Sequence, residues 1–164
     1  MKSLRVKFIG GGLLFIALFI LAVGFYGLIK LSSFMAKIYP MFMNMKYPML
    51  FLCQGIILAL ILALLFGLFA LKKYGDGKIF ERGMLFDLQV IALSFIGIFF
   101  LSILSIIYTN FNLDGSITNL IFIGAAIIAM LIAQIFLLLC DLIKEGMTLK
   151  EENDLTIWGG PWEK

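Results

Sequence analysis

The chain has 164 residues, of which 63% are hydrophobic and 14% charged, with 13 basic side chains against 10 acidic ones and no histidine. An ordinary soluble domain carries about 45–50% apolar and about 25% charged residues, so this much apolar surface would overflow one small soluble core and face water. The composition therefore excludes a soluble globular domain, and a net charge of +3 spread over short clusters argues against direct nucleic-acid binding.

A bilayer core about 30 Å thick needs roughly 20 consecutive apolar residues in a helix. Four charge-free runs meet that length, over residues 8–29, 47–71, 88–111 and 117–140. Helices satisfy their own backbone polar groups, which hydrocarbon cannot do for them. The expected fold is thus all-α: a polytopic membrane protein with four transmembrane helices over about residues 8–29, 47–71, 86–110 and 117–141 in an up-down bundle. This makes a single membrane domain over residues 1–164, with a short tail from 142 to 164. The first run follows Lys2, Arg5 and Lys7, as a signal peptide would. It exceeds the 7–15 apolar residues of a signal core, so it is read as a retained span.

In the first helix Gly10, Ala17 and Gly24 repeat every seven residues. The segment from Lys30 to Lys46 mixes lysines with Phe34, Met35, Tyr39, Pro40, Met41, Phe42, Met43 and Met45. It reads as a connector with interfacial anchors, or as an amphipathic stretch lying on the lipid surface. The second helix carries Gly55, Ala59, Ala63 and Gly67 at four-residue intervals, a row along which another backbone can approach closely. In the fourth helix Ala125, Ala129 and Ala133 share that spacing. These rows predict tight packing within the chain and leave a homo-oligomer through the second helix open.

Two polar stripes start at one membrane boundary. Asp87, Ser94 and Ser105 fall within about 20° on the third helix, and Gln134, Asp141 and Glu145 within about 40° on the fourth. Intramembrane carboxylates are costly and often functional, so one reading joins Asp87 and Asp141 in a cation or proton site. The plainer reading leaves both at segment ends, within reach of water and compensated by Arg82 or Lys144. Gln134, deepest in its span, is expected to hydrogen-bond to another helix.

Basic residues set the orientation. Ten lie at the amino terminus, in the middle loop (Lys72, Lys73, Lys78, Arg82) and in the tail, against Lys30, Lys37 and Lys46 on the other side. Positive charge favours the cytoplasm, which predicts a multi-pass protein of the cell membrane with both termini cytoplasmic and Asn112-Leu113-Asp114-Gly115 as a short external turn.

No nucleophile has a base to serve it, and no phosphate loop or H-E-x-x-H is present. Cys53 and Cys140 stand far apart without metal-ligand spacing. Neither an enzyme nor a cofactor or metal is expected.

After Asp141 the chain turns polar and reaches the acidic run Glu151-Glu152-Asn153-Asp154, followed by Leu155-Thr156-Ile157. That tail, with Gly77-Lys78-Ile79-Phe80 ahead of the third helix and the four-helix pattern, resembles the DUF2975 family of small bacterial membrane proteins of unknown function. The resemblance implies a prokaryotic inner-membrane protein whose gene often neighbours a small helix-turn-helix regulator. Trp158-Gly159-Gly160-Pro161-Trp162 falls outside the pattern. By propensity, Leu155 to Trp158 leans towards an extended segment, which would pair with a partner's sheet edge or fold back onto the basic middle loop.

The expected partners are the lipid bilayer and a cytoplasmic transcriptional regulator held by the middle loop and tail. An immunity or stress protein acting against a peptide toxin through residues 37–46, and a small transporter subunit using Asp87 and Asp141, are the alternative readings.

Overall fold

The computed structural model describes residues 2–39, 43–113 and 117–158, with side chains described for 6–39, 43–113 and 117–153. Every regular element among them is helical: α1 (Lys2–Ala22), a π-helical turn (Val23–Gly27), α2 (Leu28–Ile38), α3 (Lys46–Gly75), α4 (Arg82–Asn112) and α5 (Thr118–Trp158). Four stretches are long and apolar enough to cross a membrane, namely Val6–Ile38, Lys46–Gly75, Arg82–Asn112 and Thr118–Asn153. The fold is the expected all-α polytopic one. The second, third and fourth predicted helices are α3, α4 and α5.

Two boundaries differ from the sequence reading. The first helix does not stop at Lys30 but continues through the π-turn into α2, so most of the expected external segment is membrane-length helix. A lysine near a helix end can keep its ammonium in the headgroups while its stem stays in lipid, so Lys30 does not force a stop. The fourth helix also runs on to Trp158, which overturns both the extended tail and its return onto the loop. The leucines, lysines and glutamates between Leu142 and Glu152 favour helix strongly enough to carry it past Gly146, and the weak β preference of Leu155 to Trp158 does not break it. The expected turn residues Asp114 and Gly115, together with Pro40, Met41, Phe42 and the stretch 159–162, lie outside the described residues.

Successive spans run antiparallel. Gly24 of the π-turn sits against Ile57 near the middle of α3, and Val6 of α1 reaches Gly75 at its far end. Lys73 and Asp87 join the end of α3 to the start of α4, while Thr109 near the end of α4 lies by Met49 near the start of α3. The α4–α5 interface is the most extensive and α3–α4 follows, whereas α1 and α2 rest mainly on α3. The core lies off-centre, around Ala63, Ala70, Met84, Leu88, Ile91, Cys140 and Ile143, where α3, α4 and α5 converge. Phe95 and Phe136 stack at 6.3 Å across α4 and α5.

The small residues explain how the helices come so close. Ala126, Ala129 and Ala133 of α5 are buried, as are Ala92, Ser94, Ser102 and Ser105 of α4, the helix that α5 meets most extensively. Ser94, Ser105 and Thr109 donate to the carbonyls of Val90, Leu101 and Ser105 at 2.7–2.8 Å. Bonded within their own helix, these hydroxyls can face an apolar neighbour at little cost. The row on α3 is used in part: Ala63 is buried, a Cβ on Gly55 would sit 3.2 Å from Leu101, and Gly67 has open space beside it.

Candidate functional site

The α3–α4 connection is where the chain is most constrained outside the spans. Lys72 and Lys73 occupy the last turn of α3, a favourable place for cations beside exposed carbonyls. Gly77 at φ +75° ends the helix, with the Gly77 amide donating to Tyr74 O and the Lys78 amide to Lys73 O. This is the Schellman arrangement, which satisfies terminal carbonyls and needs a left-handed residue. The next membrane-length helix, α4, then begins at Arg82.

Lys73 closes this turn. Its ammonium donates to Gly83 O at 2.8 Å and to Asp87 Oδ2 at 2.6 Å. The Asp87 side chain is 4% exposed and that of Lys73 32%. The carboxylate therefore sits inside the bundle and the lysine reaches in from its edge. Arg82, the cation nearest in sequence, is exposed and does not fill this role. Burial of Asp87 departs from the expectation that water and headgroups reach both aspartates.

Asp141 behaves as the plainer reading has it. Its exposed side chain accepts from Lys144 at 3.2 Å on the outer face of α5. Asp87 and Asp141 thus point to different surroundings and pair with different lysines, so the structure does not bring them into one cation site. Gln134 is exposed on α5 rather than turned to a neighbouring helix.

The loop and the tail, in contrast, do meet. Gly146 of α5 lies against the Phe80 ring so closely that a Cβ there would collide with it. Ile143 is buried in the core cluster one turn earlier, and Met147 packs against the same cluster. Phe80 is 46% exposed, so one side of the ring remains open beside the tail. Farther along, Glu151, Glu152 and Asn153 are exposed on the same helix. Asp154, Leu155, Thr156 and Ile157 continue it as helical backbone, and their side chains lie outside the described set.

The profile of a protein family of unknown function, DUF2975, matches residues 30–157. The chain belongs to the DUF2975 family. The match takes in α3, α4, the loop and the tail motif, ending at Ile157 where that motif ends. No curated protein and no solved structure shows significant similarity to the chain.

Sequence reasoning missed Lys73 as the partner of Asp87 and the seating of Phe80 on Gly146. The first had a signal, since a lysine at the end of one span and an aspartate at the start of the next are brought together by a short hairpin. The second had only a glycine in an otherwise helix-favouring tail.

Proposed function

We propose that this DUF2975 protein is a non-catalytic membrane adaptor that holds a cytoplasmic transcriptional regulator through its middle loop and tail, so that the state of the membrane bears on gene expression. The observation that carries the reading is the contact of Phe80 with Gly146, which joins the two segments into one surface at one end of the bundle. In this reading that end is cytoplasmic, as the excess of lysine and arginine there favours. The half-open Phe80 ring supplies an apolar anchor, and the exposed Glu151 and Glu152 supply charge farther along α5. The regulator, not this chain, contacts DNA.

Affinity capture from detergent-solubilised membranes tests it, comparing the intact chain with one whose residues 151–157 are scrambled. A DNA-binding partner retained by the first and lost from the second supports the proposal. Recovery of the same proteins with both overturns it.

A further inference from the structure

At the end of the bundle opposite the loop and tail, the helices part. The π-turn Val23–Gly27 inserts a wider turn into the first span, and the α2 segment that follows leans mainly on α3. Between α2, the start of α3, the end of α4 and the start of α5 lies a cleft of about 530 Å³. Its walls include Leu31, Met35, Met45, Met49, Ile121 and Phe122, and Lys46 is its charged lining residue. Single π-turns often accompany functional sites in helices, and pockets of about 300–1,000 Å³ are the size that takes small ligands. Water gains nothing in a cavity so poor in polar partners. The three methionines give it a soft wall that adapts to a flexible chain.

We propose that this cleft holds one acyl chain of an anionic phospholipid, drawn from the adjacent leaflet, with the lipid phosphate against the Lys46 ammonium. Lys46 is the first residue of α3, a membrane-length helix, so its charge stands at headgroup level and the lipid need not leave its leaflet. The charge of the site selects the headgroup. Lys30 and Lys37 line a second depression that shares Leu31 with the cleft. The described residues at this end present no carboxylate, and Asp114, the acidic residue the sequence places on this side, lies outside them. Lys46 itself stands 5.5 Å from the Tyr47 ring, a weak contact that leaves it able to pair with a phosphate.

The test uses the whole chain in vesicles, with Trp158→Phe and Trp162→Phe to clear the background and Phe122→Trp as reporter in the cleft. Phosphatidylglycerol or phosphatidylcholine brominated on its acyl chains is titrated in as quencher. The expected result is half-maximal quenching at about fivefold lower mole fraction for phosphatidylglycerol, the scale of one lysine at an anionic surface. Lys46→Gln should erase that preference. A reporter on the lipid-facing side of α4, Leu93→Trp, should show none, and Cys53→Phe, which fills the cleft, should protect the Phe122→Trp reporter alone. Should Phe122→Trp fail to insert, Met49→Trp, half-buried in the α3 wall of the cleft, takes its place. Equal quenching by both lipids, or quenching at Leu93→Trp without quenching in the cleft, overturns the proposal. So does a brominated free fatty acid that outcompetes phosphatidylglycerol there. None of these readouts depends on a cytoplasmic partner.

Discussion

Lys73 and Asp87 form an ion pair across the α3–α4 hairpin in which the two partners differ in their access to water: the carboxylate is enclosed and the ammonium is a third exposed. Losing either partner therefore has unequal effects. Lys73→Met leaves a buried carboxylate uncompensated, a change that costs about 3–5 kcal/mol in buried pairs. Asp87→Asn leaves a lysine that can swing out to the headgroups. Thermal unfolding in detergent, followed by circular dichroism, should show the larger drop in Tm for Lys73→Met. Equal drops would mean that the pair is not held as described.

Phe80 and Gly146 supply a second test, with a change of sign. Alanine is favoured over glycine inside a helix by about 1 kcal/mol, so Gly146→Ala should stabilise α5 wherever space allows. Here the ring occupies that space, and Gly146→Ala should be neutral or destabilising in the native background. In a Phe80→Ala background the same change should raise stability by about 1 kcal/mol. A thermal-melt double-mutant cycle reads the coupling directly.

The small-residue rows divide by position. Ala129 and Ala133 are 2% and 0% exposed on α5, whose main neighbour is α4, so leucine at either should force the helices apart at about 1–3 kcal/mol. Gly67 has open space beside its Cα, and Gly67→Leu should insert and melt close to the parent chain. Detergent-resistant folding assays on the three variants would separate them.

Orientation is read by single cysteines at Ser33, Gly75, Ser116 and Thr156 in a chain lacking Cys53 and Cys140. Labelling of intact cells by a membrane-impermeant maleimide is expected at Ser33 and Ser116 alone. Labelling at Thr156 from outside would invert the topology and remove the ground for a cytoplasmic regulator.

The spans were legible because hydrocarbon imposes a length on any charge-free helix, and the shared face of Asp87, Ser94 and Ser105 on α4 followed from their angular spacing, whereas the depth at which Asp87 is buried did not. The helix ends were less legible. Lys30 and Asp141 mark where charge begins, but a helix can carry charge past the hydrocarbon, so neither residue marks where it stops. The two small-residue rows also looked alike in sequence. Only the packing shows that Ala129 and Ala133 are enclosed while Gly67 is not, because spacing fixes which residues share a face and not which neighbour arrives there.

The unbroken course of α5 from Thr118 to Trp158 ties the tail to the membrane by angle as well as by distance. Each residue advances the helix by about 100° and 1.5 Å, so the direction of the buried half sets the direction in which Glu151 and Glu152 leave the axis. One residue inserted after Lys144 would swing that acidic pair about 100° around the axis, while four would bring it back to within about 40°. The acidic pair is therefore phased to the bundle like a key to its shaft.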